Sequence, residues 1–124
     1  MDGRSLGQFG NFIGGTGSGI GTGENNTSII VSWLNNHGET SKAAQLCYAL
    51  VYGGYSDWFL PSLDELYYMY ENLKCFGVGS FTDRAYWSST EYDANNAQRN
   101  LFEIGYQRYN DKRSTFSVRV ARAF

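Results

Sequence analysis

The sequence predicts an α+β domain, with helices in the N-terminal half and an antiparallel sheet mainly in the C-terminal half. Three observations carry that prediction. Apolar residues recur at helical spacing in the first part of the chain, most clearly at Ala43, Leu46, Cys47, Leu50 and Val51. After Gly77-Val78-Gly79 the apolar period changes to two, the period of a strand. The length of 124 residues is enough for one hydrophobic core and too little for two ordinary ones, so residues 1–124 read as a single domain.

Residues 7–23 hold more than half of the 15 glycines. No strand precedes them and no Gly-Lys-Ser/Thr follows, and Gly15, Gly17, Gly19 and Gly21 alternate where a dinucleotide fingerprint would not. The segment reads instead as a loop lying close against the core, where glycine permits positive φ and a near approach of backbone. A first helix is expected over 27–37, beginning at Asn26 or Thr27, burying Ile30, Trp33 and Leu34 and stopping at Asn35-Asn36-His37-Gly38. The apolar stripe on Ala43 predicts a second over 41–52, ended by Gly53-Gly54. A third, over 62–74, has the clearest start. Ser62-Leu63-Asp64-Glu65 is a capping box, and Pro61 keeps the preceding residue out of helical conformation. Its buried stripe is Leu63, Leu66, Tyr67, Tyr70 and Leu73. Strands are expected at Tyr86–Tyr92, Leu101–Tyr106 and Thr115–Ala123. Helices first and strands later give the α+β class.

Composition excludes several function classes. A formal net charge of −2 lacks the basic field that a phosphate-backbone binder needs, so nucleic acid is not an expected partner. With 2 cysteines far apart in sequence and 1 histidine, no zinc set can be assembled, and no metal or cofactor is expected. Cys47 falls on an apolar helix face and reads as a small buried hydrophobe, with a Cys47–Cys75 disulfide as the alternative. No run approaches the roughly 20 apolar residues of a membrane span, and Met1-Asp2-Gly3-Arg4 does not read as a signal peptide. Ser88-Ser89-Thr90 has no histidine nearby to act as base, which argues against a Ser-His-Asp hydrolase. Asp64, Glu65, Glu91 and Asp93 give no pair fixed at the separation that glycoside hydrolysis requires. The expectation is a non-enzyme.

The run from Asp93 to Arg113 is the candidate ligand-binding surface. A merely solvated loop needs no tyrosine, whereas Tyr106 and Tyr109 interleaved with Arg99, Arg108, Arg113 and the amides Asn95, Asn96, Asn100 and Asn110 match the aromatic and polar mixture of binding surfaces. Asp93 opens the run. Arg99, Tyr106, Arg108 and Tyr109 are expected to be exposed on a common side, with Phe102 and Val120 pointing to the core. Trp58 and Trp87 read as core residues of the frame. Arg119 and Arg122 read as ion-pair partners that pin the last strand, with Asp57, Asp64 or Glu65 as candidates.

Three segments coincide with a known family. Gly53-Gly54-Tyr55-Ser56-Asp57-Trp58-Phe59-Leu60-Pro61-Ser62-Leu63-Asp64-Glu65-Leu66, Tyr86-Trp87-Ser88-Ser89-Thr90-Glu91-Tyr92 and Val118-Arg119-Val120-Ala121-Arg122-Ala123-Phe124 resemble the C-terminal domain family named after the Legionella collagen-like adhesin, in order and spacing. The glycine-rich start resembles it too. The resemblance implies a C-type-lectin-like fold, related at a distance to formylglycine-generating enzymes and to variable proteins diversified by retroelements. It implies a binding module, such as an adhesin or phage-tail tip, that meets a protein or glycan receptor on another cell surface, is a homo-oligomer in some members, and works outside the cell, at its surface or on a virion. The chain departs from that pattern in its acidic balance, which disfavours glycosaminoglycan binding. It also has none of the Glu-Pro-Asn, Gln-Pro-Asp or Trp-Asn-Asp signatures of calcium-dependent sugar binding. Cys47 and Cys75 lie outside the region where formylglycine chemistry would place cysteines. Adenine mutagenesis of Asn codons permits Asp93, Asn95, Asn96, Arg99, Asn100, Ile104, Tyr106, Arg108, Tyr109, Asn110 and Arg113, and would leave Gln98, Glu103, Gln107 and Lys112 fixed. The alternative to a ligand-binding module is a structural or oligomerisation domain; an enzyme of the formylglycine-generating or hydrolase type ranks below both.

Overall fold

A computed structural model of the chain describes residues 3–7, 9–77, 79 and 81–122. Helices α1 (Gly23–Asn36), α2 (Ala43–Ala49) and α3 (Leu63–Asn72) precede strands β1 (Ala85–Glu91), β2 (Asn96–Leu101) and β3 (Tyr106–Asp111), with a single 3₁₀ turn at Lys74–Phe76. The three strands form an antiparallel meander in the order β1-β2-β3. The α+β class and its helices-then-strands order are therefore as the sequence predicts.

The sheet is covered on both faces at β1. Trp87, 0 % exposed, packs with Ile30, Val31 and Leu34 of α1 and Ala43, Ala44 and Cys47 of α2. On the opposite face Tyr86 and Phe102 pack against Leu66 of α3, with Met69, Tyr70 and Phe81 around them. Strands buried on two faces need neighbours on both edges as well. Ser117 bridges the free side of β1 at Tyr86, and Phe116 bridges Arg4, so the two ends of the described chain lie side by side.

The capping box forms as expected: the Ser62 hydroxyl accepts the Glu65 N–H at 3.3 Å and Glu65 accepts the Ser62 N–H at 2.8 Å. α1 begins four residues before its expected start because Asn26 and Thr27, both cap-type residues, are engaged elsewhere. Asn26 accepts the Gly17 N–H and donates to the Gly17 carbonyl at 2.8 and 2.7 Å, and Thr27 donates to the Gly23 carbonyl one turn back. The glycine-rich segment does lie against the core. Its amides and carbonyls are held by Asn26, Ser62, Thr90 and Glu91. Gly23 shows why glycine is needed there: a Cβ would come within 2.9 Å of the Ser62 nitrogen and of the Phe59 ring, and would meet the Glu65 carboxylate.

Several expectations are corrected. α2 stops at Ala49 because Leu50 turns extended (φ −67°, ψ 131°), so Val51 never joins the buried stripe and is 73 % exposed. Of the α3 stripe only Leu66 is fully buried; Tyr67 is exposed. The expected Leu101–Tyr106 strand is not one strand: Leu101 ends β2, Tyr106 begins β3, and 102–105 are the turn between them, with Gly105 at φ 72° and its N–H on the Leu101 carbonyl at 2.8 Å. The strands are instead the polar segments either side, whose pairing on the sheet outweighs their weak intrinsic preference. The expected Thr115–Ala123 strand is reduced to isolated bridges at Phe116, Ser117 and Ala121, while Ala123 and Phe124 lie outside the described residues. Trp58 is only half-buried, donating its indole N–H to the Tyr55 carbonyl at 3.2 Å, so it is not a core residue as Trp87 is. Cys47 and Cys75 are not bonded to each other; Cys47 is buried and Cys75 exposed.

Candidate functional site

The expected recognition run folds into the β2–β3 hairpin, and its register decides which side chains share a face. Arg99 stands opposite Arg108, Leu101 opposite Tyr106 and Ala97 opposite Asn110, so Arg99, Tyr106, Arg108 and Asn110 lie on the face that α1 and α2 cover at Trp87 and Ala97. Gln98 stands opposite Tyr109 on the other face, beside the α3 layer. The expectation that Arg99, Tyr106, Arg108 and Tyr109 point to a common side is thus corrected: alternation along β3 sends Tyr109 the opposite way.

On the first face Arg99 is pinned. Its Nε donates to the Asn110 side-chain oxygen at 2.9 Å, and its guanidinium carbon lies 5.9 Å from the Tyr106 ring centroid. Burial, together with the neighbouring charge of Arg108, pulls its pKa below the ordinary arginine value. Two like charges directly opposite on neighbouring strands are unfavourable by about 0.2–1 kcal/mol. Among the described residues no carboxylate pairs with either arginine. Tyr106 beside them is 48 % exposed. Arg99, expected to be exposed, is half-buried and held, whereas Arg108 is exposed; together they make a doubly cationic patch with an aromatic edge.

The other site candidates divide into groups. Asp93 is structural: its carboxylate accepts the Asn95 and Asn96 N–H groups at 2.8 and 2.7 Å and so closes the β1–β2 turn. Burial pushes its pKa up, but those hydrogen bonds outweigh burial and hold it below the ordinary range. Asn95 is exposed and its carbonyl takes the Lys112 N–H, while the Asn96 amide turns back to Asp93. Arg113 pairs with Asp111 at 2.8 Å and lies 3.8 Å over the Phe9 ring. Tyr109 stacks on Tyr92 with centroids 4.0 Å apart and planes 9° from parallel, a flat exposed pair on the second face. Asn100 is 0 % exposed beneath α3, and neither atom of its amide has a hydrogen-bond partner. It is therefore withdrawn from the surface set.

Sequence reading missed the interior neighbour of this hairpin. Lys112, within the candidate recognition run, is fully buried, and its Nζ lies 2.7 Å from a carboxylate oxygen of Glu91, whose side chain is itself 1 % exposed. The same carboxylate accepts the Ile13 and Gly14 N–H groups at 2.9 Å each, and Lys112 also donates to the Asn11 carbonyl at 3.1 Å. No local signal marks such a lysine, because its partner is distant in sequence. The hydroxyls of Ser88 and Thr90 are engaged by the Gln98 and Gly17 carbonyls at 2.8 and 2.9 Å, and Ser89 accepts from Asn26.

No family model and no curated protein matches this chain. Among the described residues no group of three His, Cys, Asp or Glu side chains is placed to hold a metal, and no helix is long and apolar enough to cross a membrane.

Proposed function

We propose that this chain is a non-enzymatic binding module of C-type-lectin-like fold whose β2–β3 hairpin recognises a protein or glycan receptor on another cell surface through an acidic group. The observation that carries this reading is the opposed pair Arg99 and Arg108, set beside exposed Tyr106 with no carboxylate between them. A cationic pair that destabilises the free protein is relieved by an anion, and a carboxylate or sulfate can accept from both guanidiniums at once. A neighbouring tyrosine adds contact area at small entropic cost. The motif resemblance supports the fold assignment, together with the observed α+β order and the pairing of the two chain ends. An adhesin or phage-tail tip, diversified or not, is the setting the resemblance offers.

The test is binding of the whole chain to an array carrying neutral, sialylated, sulfated and uronate glycans, and to intact cells, beside a variant with alanine at Arg99, Tyr106, Arg108 and Tyr109. Retention of an acidic-glycan or cell-surface signal by wild type alone, with both proteins folded, supports the proposal. Equal binding by both rejects it. A second reading, an oligomerisation domain, draws on exposed Tyr48, Val51 and Tyr52 at 55, 73 and 70 %. A concentration-independent monomer by light scattering would remove it.

A further inference from the structure

The second face of the hairpin holds an aromatic pair that the arginine patch does not use. Side chains alternate along β2 and β3, so Asn96, Gln98 and Asn100 share this face with Gln107, Tyr109 and Asp111. Tyr92, which follows β1, stacks on Tyr109 with ring centroids 4.0 Å apart and planes 9° from parallel. Each ring covers one face of the other. Tyr92 is nevertheless 49 % and Tyr109 41 % exposed, so what stays open on the pair is outer ring face and edge. Rings that hold each other are set before a ligand arrives, which removes much of the ordering cost that a lone surface tyrosine meets on binding.

The polar groups beside the rings are open and neutral. Gln98 stands directly opposite Tyr109, and Gln107 precedes Tyr109 by two residues on the same strand face, roughly 7 Å away. Among the described residues neither glutamine side chain makes a hydrogen bond. Asn100 is buried and the Asn96 amide is turned to Asp93, so the two glutamines are the amides left to reach a ligand. Asp111, the one charged residue of the set, is bound through both carboxylate oxygens by Arg113, at 3.0 and 2.8 Å. A flat apolar plate flanked by donor–acceptor amides, with no open charge, matches a neutral sugar. The axial C–H bonds of a pyranose lie against the negative face of an aromatic ring, and its neighbouring hydroxyls can exchange hydrogen bonds with a carboxamide, which offers both donor and acceptor. A charged ligand finds no counter-charge here, and an aliphatic one leaves both amides unused. We propose that this face binds a neutral pyranose unit of a glycan, seated on the Tyr92–Tyr109 pair and hydrogen-bonded by Gln98 and Gln107. The site is separate from the acidic-group site, because Arg99 and Arg108 lie on the opposite face.

The experiment screens the whole chain against a neutral-glycan array that includes cellotetraose, mannotetraose and chitotetraose, and then titrates the strongest hit in solution by nuclear magnetic resonance at low and high salt. The expected result is binding that is insensitive to salt and shifts the side-chain amide signals of Gln98 and Gln107. Tyr109→Phe keeps the ring and should keep binding, whereas Tyr109→Ala should lose it. Gln107 is exposed, so Gln107→Ala keeps the fold even where Tyr109→Ala does not, and it should weaken binding several-fold. Arg108→Gln should leave neutral-glycan binding unchanged while weakening acidic-glycan binding, so failure of one site is distinguishable from failure of the other. Binding of no neutral glycan by the wild type would overturn the proposal. So would undiminished binding by Gln107→Ala and a folded Tyr109→Ala, signal shifts confined to other residues, or Tyr109-dependent attachment to cells that survives enzymatic removal of their glycans, which would make the partner a protein.

Discussion

Replacing Lys112 by methionine should cost about 3–5 kcal/mol, because the change leaves Glu91 buried and ionised without its cation. The geometry sets that size. Both side chains are essentially inaccessible, at 0 and 1 % exposure, and the Nζ–Oε2 distance is 2.7 Å. The Ile13 and Gly14 amides, 2.9 Å from the carboxylate, soften the loss without replacing the charge. A domain of this kind has about 5–15 kcal/mol of total stability, so about a fifth or more is at stake. With a urea m-value of about 2 kcal/mol/M the midpoint should fall by about 1.5–2.5 M. The assay is urea unfolding followed by tryptophan fluorescence, since Trp87 sits in the adjoining core. A double variant, Glu91→Leu with Lys112→Met, removes both charges and should recover part of the loss, the remainder reflecting amides of Ile13 and Gly14 left without their acceptor. A single variant within about 0.5 kcal/mol of wild type, at unchanged m, would refute the reasoning, since that is the range of an ordinary surface substitution.

Other outcomes follow from individual sites. In the native protein at pH 8 only the exposed Cys75 should react rapidly with iodoacetamide, because burial pushes the Cys47 thiol up to about 12; two fast thiols by mass spectrometry would contradict the packing. The Arg122 hydrogen bond holds the Asp57 carboxyl below its ordinary range. Its contribution is therefore complete above the unfolded carboxyl value of about 3.9 and is lost as pH falls through the folded value. Asp57→Asn should flatten the acid limb of a stability-against-pH curve, and an unchanged limb would dismiss the pair. Asn100→Leu, which removes two unpartnered polar atoms from beneath α3, should leave the melting temperature unchanged or raised and receptor binding intact; lost binding in a folded variant would return Asn100 to the site.

The parts of the fold legible in sequence are those decided locally. Ser62 and Glu65 are three residues apart and cap one helix whatever surrounds them. Cys47 is buried because it lies on the one side of α2 that meets the core. The strands were legible only in part. Apolar Leu101-Phe102-Glu103-Ile104 resembles a strand, yet Phe102 is an anchor set beneath α3 from within a turn, while the polar Asn96–Leu101 is a strand because it has neighbours on both sides. Propensity measures fit to a half-buried pleated surface, and that surface is built by tertiary contacts. The same limit explains the site. The aromatic and arginine content of the hairpin was visible, but the face each residue takes depends on a register set by the Asp93–Asn96 turn and by a shift in pairing between Trp87 and Glu91. The codon-based sorting places Lys112 among the fixed positions, and it is buried; Glu103 and Gln107, sorted with it, are exposed.

The most direct test of the central claim is a paired measurement on Arg108→Gln. Arg108 is exposed and faces Arg99, so its charge opposes folding and should serve only a ligand. Melting temperature and binding to the acidic glycans or cells recognised by the wild type are measured on the same preparation. The melting temperature should be unchanged or slightly higher, with binding reduced and its dependence on salt weakened. A lower melting temperature with binding retained would contradict it, showing that the arginine pair supports the hairpin and does not recognise a receptor.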